Sequence, residues 1–199
     1  MRATVAILAG GHATRFGGGD KGAILIGGRS ILERQLHEVS QVADDVMLVG
    51  ADAVPPFANM PIRLVADRVV DAGPLGGLDA ALAASGRDHV MIIAGDMPYV
   101  SAQLLAHLIS LRQDADAVVP RTERGYHPLC AVYARSCEDV VGRRLAARTF
   151  AMKDLLVELK VRVVNTGELA AFGDPDRLLA NVNTPADLDR IEALAGHQP

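Results

Sequence analysis

Apolar residues fall along this chain in short unbroken runs, separated by stretches of two kinds. The runs are Thr4–Leu8, Val46–Val49, Ile62–Val65, Val90–Ala94, Ala117–Val119, Cys130–Tyr133 and Val161–Val164. Continuous rather than alternating apolar character predicts strands covered on both faces. Between them, apolar residues recur at helical spacing, as in Ile31, Leu32, Leu36 and Val39. Strands interleaved with helices predict an α/β fold with a mostly parallel sheet between two helical layers.

Local signals set the expected boundaries. Ser30 caps the first helix, and Glu33, three residues on, completes a capping-box pattern. Gly73-Pro74-Leu75 opens an Ala-rich helix running through Leu82, with proline in the first turn. Ser101 caps a helix reaching about Arg112, further helices are expected near Ser136–Leu145 and Met152–Leu159, and Thr184-Pro185 starts a last one reaching about Leu194. Gly10–Gly28 reads as a long glycine-rich loop. With no repeat or linker, residues 1–199 are expected to form a single domain.

Composition narrows the classes. The formal net charge of -4 argues against bulk nucleic-acid binding, which needs a basic face. Cys130 and Cys137 match no zinc spacing and form no disulfide framework. The first apolar run breaks at Gly10-Gly11, too early for a signal peptide. No stretch approaches the roughly 18 apolar residues of a membrane span. A cytoplasmic enzyme is the expectation.

In a parallel sheet, ligands sit at the carboxyl ends of strands, and the unusual segments fall there. Gly10–Gly22 packs six glycines, Arg15 and Lys21 behind the first strand. Glycines let backbone N–H groups approach an anion; Arg offers a fork to phosphate and Lys a point charge. Gly17-x-Gly19-x-x-Gly22 satisfies a dinucleotide fingerprint in letters only, since it neither follows the strand directly nor opens a helix. Lys21 stands between Asp20 and Gly22, so no Walker loop is present either. Asp96, in Gly95-Asp96-Met97-Pro98, is a carboxylate suited to magnesium shared with substrate phosphates, or simply a turn-forming Asp. Asp67 could meet a base or ribose, or be an ordinary loop residue. Gly73 and Gly77 leave room for a nucleoside or serve helix–sheet packing. His127-Pro128 and Asn181-Val182-Asn183-Thr184-Pro185 are polar clusters beside apolar segments, and Asn183 could equally cap the last helix. No Ser–His–Asp or Cys–His nucleophile set is evident.

Taken together, Leu8-Ala9-Gly10-Gly11, Arg15, Gly17-Gly18-x-Asp20-Lys21-Gly22, Gly73-Pro74-Leu75-x-Gly77, Asp96 with Pro98, His127-Pro128 and Asn181–Pro185 resemble the molybdenum cofactor guanylyltransferases of the nucleotidyltransferase superfamily. The resemblance runs from about Val5 to Asp187. It implies a three-layer α/β fold related to the dinucleotide-binding fold. It also implies a reaction in which the terminal phosphate of molybdenum-bound molybdopterin attacks the α-phosphorus of GTP, with Mg2+ as cofactor and pyrophosphate released. By resemblance Leu8, Ala9, Gly10 and Gly11 line the nucleotide pocket, Lys21 contacts phosphates and Arg15 steadies pyrophosphate. Asp67 meets the nucleoside and Asp96 holds the metal. His127, Asn181 and Asn183 lie toward the acceptor. Many relatives carry Asn at the end of the second strand as a guanosine contact; Gly50 stands here, which moves that contact to Asp52 or to the backbone. Implied protein partners are the molybdenum-insertion protein, a small GTP-binding accessory protein and cofactor chaperones. Alternatives are the molybdopterin cytidylyltransferase, which typically opens Leu-Ala-Ala-Gly, and a sugar-1-phosphate nucleotidyltransferase, which commonly puts proline before the loop lysine.

Overall fold

The structure is a computed structural model that describes residues 3–9, 12–13, 19–20, 24–182 and 186–187, the side chains of 12–13 and 19–20 excepted. The strands are β1 (Thr4–Leu8), β2 (His12–Ala13), β3 (Gly19–Asp20), β4 (Leu25–Ile26), β5 (Arg29–Ser30), β6 (Asp45–Val49), β7 (Ile62–Val65), β8 (His89–Ala94), β9 (Ala117–Thr122), β10 (Gly125–Tyr126), β11 (Cys130–Ala134) and β12 (Val161–Val164). The helices are α1 (Ile31–Val39), α2 (Gly73–Ala84), α3 (Ala102–Ser110), α4 (Glu138–Ala146), α5 (Met152–Val157), α6 (Thr166–Leu169) and α7 (Pro175–Leu178).

The main sheet has the order β10-β9-β11-β8-β1-β6-β7, with β12 beside β9. β1 lies parallel to β6 and β8, β6 to β7, and β12 to β9. β11 runs antiparallel to both β8 and β9, so these two share a direction. The mostly parallel sheet is therefore confirmed, with β10 and β11 as its reversed strands.

Successive side chains of a strand point to opposite faces, and the core divides accordingly. Val5, Ile7, Val46, Leu48, Met91 and Ile93 pack under α1 and α3, with Leu32, Leu36, Leu104 and Leu108. Ala6, Met47, Val49, Val90 and Ile92 pack on the other face under α2, α4 and α5, with Leu75, Leu78, Val141 and Leu155. Both cysteines are buried in these layers, where burial pushes each thiol up to about 12. They are packing residues.

Several expected boundaries move for identifiable reasons. The stretch expected as one loop, Gly10–Gly28, contains the β2–β3 pair and, toward its end, β4, which pairs with β5 just beyond it. The β4–β5 turn is Gly27-Gly28, both at positive φ (57 and 80°), as a two-residue hairpin turn demands. The Ser30 hydroxyl accepts from the Glu33 N–H at 3.1 Å, one half of the expected capping box. The complete box is at Asn165–Glu168, opening α6. α3 ends at Ser110, and the Arg112 guanidinium donates to the Ile109 carbonyl (2.7 Å), satisfying a carbonyl of the last turn. The first turn of the helix expected from Ser136 is a 3-10 turn, Arg135–Cys137, ahead of α4. The helix expected from Thr184 falls mostly on residues outside those described.

Candidate active site

β1, β6, β7, β8, β9 and β12 end at one edge of the sheet, and that edge is tied across its width. Ala9 N–H donates to Val49 O (2.9 Å), Gly50 N–H to Val65 O (2.9 Å) and Gly95 N–H to Leu8 O (3.0 Å). β11 runs the other way, so the segment preceding it reaches the same edge: Ala94 N–H donates to Leu129 O at 2.8 Å. The sequence motifs at Leu8-Ala9, Gly95-Asp96 and His127-Pro128 are thereby neighbours.

Asp96 is the centre of this arrangement. Its carboxylate Oδ1 accepts from the Asn181 side-chain amide at 2.6 Å, and its backbone carbonyl accepts from Val182 N–H at 2.8 Å. Residues far apart in sequence are so joined through both side chain and main chain. The segment bearing Asn181 is anchored by a small apolar cluster, Ile26, Ile31, Ala180 and Val182, with Ile24 and Tyr99 packed against it. Gly95 is required by closeness: a Cβ there would stand 2.9 Å from Leu8 O and 3.5 Å from Ala9 Cα.

Leu8 and Ala9 are half-buried at the end of β1, and Asp67 is exposed just past β7. Arg68, next in the chain, pairs with Asp79 of α2 at 3.4 Å and ties the Asp67 loop to that helix. Burial raises the Asp79 carboxyl, and Arg68 opposes that rise. Gly73 begins α2 at φ 57°, exposed and with open space where a side chain would be. Gly77 is different: a Cβ there would meet Leu8 Cδ2 at 3.0 Å, so its smallness lets α2 close on Leu8. The packing reading holds for Gly77, whose effect on a nucleotide would pass through Leu8. Gly50 adopts φ 76°, a backbone state accessible to Gly and to Asn.

Toward the other side, His127 Nε2 and the Thr122 hydroxyl share a hydrogen bond at 2.9 Å. Burial first, then Arg124, lowers the His127 pKa below that of an ordinary histidine, which favours the neutral ring. The Tyr133 hydroxyl donates to Pro128 O (2.8 Å), holding the His127-Pro128 turn against β11. Arg177 lies 4.7 Å over the ring of Tyr99. Gly10, Gly11, Arg15, Lys21 and Asn183 lie outside the described residues.

Two residues not singled out from sequence matter here. Arg68 braces the Asp67 loop. Gln35, fully buried on α1, donates from Nε2 to Ala94 O (2.7 Å) and Met97 O (3.0 Å), bracketing Asp96. The pattern held a signal for Gln35: a polar residue within the apolar stripe Ile31, Leu32, Leu36, Val39.

The bond from the Asn181 amide fixes the direction of the strand-end Asp96 carboxylate. Among the described residues no group of three His, Cys, Asp or Glu side chains could by itself hold a metal ion. These donors fit a cation held by a protein carboxylate together with substrate phosphates, the usual manner of magnesium. No described helix is long and apolar enough to cross a membrane.

The chain is similar to known nucleotidyltransferases over most of its length. The family described as the MobA-like NTP transferase domain matches residues 5–162. The molybdenum cofactor guanylyltransferase of Desulfosudis oleivorans is 34% identical over 189 residues, covering 94% of this chain and 93% of that protein. The crystal structure of molybdopterin-guanine dinucleotide biosynthesis protein A from Archaeoglobus fulgidus superposes with a TM-score of 0.79 at 25% identity, covering 98% of this chain and 100% of that one. The 2-C-methyl-D-erythritol 4-phosphate cytidylyltransferase of Thermus thermophilus, at 19% identity and a TM-score of 0.70, shares the fold. The family match over residues 5–162, with a relative 34% identical across 94% of the chain, places this protein in the MobA-like nucleotidyltransferase family, among the molybdenum cofactor guanylyltransferases.

Proposed function

We propose that this enzyme transfers GMP from GTP to molybdenum-bound molybdopterin, giving the guanine dinucleotide form of the cofactor and pyrophosphate. The observation that carries the reading is the meeting of Leu8, Gly95-Asp96 and Asn181 at one strand edge, in a chain whose relatives carry that activity in their name.

An oxygen of the acceptor's terminal phosphate forms the new bond to the α-phosphorus, and the α–β bridging bond breaks, its electron pair leaving with pyrophosphate. Such a transfer asks the protein for positioning and charge stabilisation rather than a nucleophile. Leu8, Ala9, Gly10 and Gly11 would line the nucleotide pocket, with Asp67 and Gly73 on the nucleoside. Lys21 and Arg15 would neutralise charge on the β- and γ-phosphates. Enzymes of this kind use a divalent metal; we assign Mg2+, held by Asp96, where it would neutralise charge on the reacting phosphates. Asn181 would orient that carboxylate, and His127, Asn181 and Asn183 are assigned to the acceptor. With its pKa lowered, the His127 ring would offer a hydrogen-bonding group to the pterin without adding positive charge. The protein partners implied by resemblance, the molybdenum-insertion protein, a small GTP-binding accessory protein and cofactor chaperones, belong to the same proposal, as does a cytoplasmic setting.

Pyrophosphate release measured with each component omitted in turn tests this reading. It should require GTP, Mg2+ and the molybdopterin acceptor together. Release that is independent of the acceptor would contradict it.

A further inference from the structure

We infer that Gln35 is a positioning residue for the Asp96 carboxylate, acting through the two carbonyls on either side of it. The inference rests on the reading of Asp96 as the metal-holding group.

The turn that carries Asp96 is held from several sides. Gly95 N–H is bonded to β1, Ala94 N–H to the segment before β11, and Asp96 O to Val182 N–H. These bonds leave the carbonyls of Ala94 and Met97 pointing toward α1. The Ala94 carbonyl takes a long bond from Met97 N–H (3.3 Å), and both carbonyls take one from Gln35 Nε2, at 2.7 and 3.0 Å. One side-chain nitrogen therefore staples the end of β8 to the residue after Asp96. That fixes the span over which Asp96 projects.

The orientation of the amide follows from its partners. Turned over, Oε1 would face two carbonyl oxygens, acceptor against acceptor. In the orientation found, Oε1 is buried and has no hydrogen-bond partner among the described residues. A buried acceptor without a partner is a cost, and Gln35 is 0% exposed in an otherwise apolar stripe. Leucine or methionine would pack there without that cost. What the amide adds is its pair of donations around Asp96. α1 follows directly on the β4–β5 hairpin, so the same helix joins the metal-side turn to the end of the glycine-rich segment.

The test compares wild type, Gln35→Met, Gln35→Glu, Asp96→Asn and the Gln35→Met/Asp96→Asn double variant. Three quantities are read: melting temperature, the Mg2+ dependence of pyrophosphate release, and Mn2+ binding in the presence of GTP by electron paramagnetic resonance. Residues supporting a metal ligand typically contribute about 10–100-fold in metal affinity or activity. Gln35→Met, folded and assayed below its melting point, should need at least ~10-fold more metal by both readouts, with the GTP KM at saturating metal within about twofold of wild type. Buried Glu at this position is held protonated by desolvation and offers one O–H donor. Gln35→Glu should accordingly fall between wild type and Gln35→Met. In the double variant Gln35→Met should add little to Asp96→Asn, because the group it positions is gone.

A Gln35→Met protein that melts earlier but keeps wild-type metal dependence would overturn the inference and leave the Asp96 reading intact. So would a full additive loss in the double variant. Wild-type metal dependence in Asp96→Asn would instead overturn the reading beneath it. If Gln35→Met does not fold, Gln35→Glu decides: unchanged Mn2+ binding overturns the inference, and weakened binding supports it.

Discussion

The side-chain amide of Asn181 donates to Oδ1 of Asp96 across 2.6 Å, joining residues 85 positions apart. The family resemblance implies a metal role for Asp96 and an acceptor-side place for Asn181. The bond joins the residues given those two expected roles.

The first prediction follows from that bond. Asn181→Ala should leave GTP binding nearly unchanged and lower acceptor-dependent pyrophosphate release, by ~10–100-fold for a group that supports a metal ligand. Because the lost bond is to a charged group, it should also cost about 1.5–3 kcal/mol of stability. A helix-capping role for this region would give the stability loss without the defect in transfer. Kinetics and thermal melting on the same preparation separate the two.

Gly95 and Gly77 should respond differently to the same added methyl group. In Gly95→Ala the Cβ meets the Leu8 carbonyl at 2.9 Å, and neither backbone can yield easily. Overpacking of this kind costs about 1–3 kcal/mol, and activity should fall with stability as the strand edge opens. In Gly77→Ala the obstacle is the end of the Leu8 side chain at 3.0 Å, which can turn away. The fold should survive, and the displaced Leu8 should raise the KM for GTP. Melting curves and KM values for both variants check the contrast.

The Asp45–Arg63 pair predicts an acid dependence. Arg63 donates to both oxygens of Asp45 at 2.8 Å, and the Thr4 hydroxyl adds a bond at 2.9 Å. The Arg63 hydrogen bond is the main cause that holds the Asp45 carboxyl below the usual range. A depressed carboxyl stabilises the fold fully above its unfolded pKa of about 3.9 and loses that contribution as pH falls through the folded value. Arg63 is half exposed, so solvent screening limits the pair to about 1 kcal/mol or less. The difference in melting temperature between wild type and Asp45→Asn should be full at pH 7 and smaller at pH 3. An equal difference at both values would rule out this pair as its source.

The strands and their common direction were largely legible because a strand buried on both faces is apolar at every position. Val5 and Ala6 face opposite layers, and both are buried. The reversal of β11 was not legible, since Cys130–Ala134 is as apolar as its parallel neighbours and its pairing is non-local. The short helices α6 and α7 lack length for periodicity; Asn165 with Glu168, and Asp174 before Pro175, were their available signals. In the site, Asp96, Asn181 and His127 could be nominated individually from their motifs. Their relation could not, because a side-chain bond such as Asn181–Asp96 depends on how distant segments cross. Gln35 shows the same limit: its place in the apolar stripe marks it as unusual, but only the crossing of α1 under the end of β8 shows which carbonyls it holds.

The central claim is guanylyl transfer, and nucleotide choice tests it most directly. Glycines leave room for a purine, and a site built on hydrogen bonds to guanine rejects bases that leave them unpaired. The enzyme should be incubated with the molybdopterin acceptor, Mg2+ and GTP, CTP or ATP in separate reactions, and each product identified by mass. The account predicts the guanine dinucleotide product with GTP, formed well ahead of any product with CTP or ATP. Turnover with CTP equal to or better than that with GTP would contradict it.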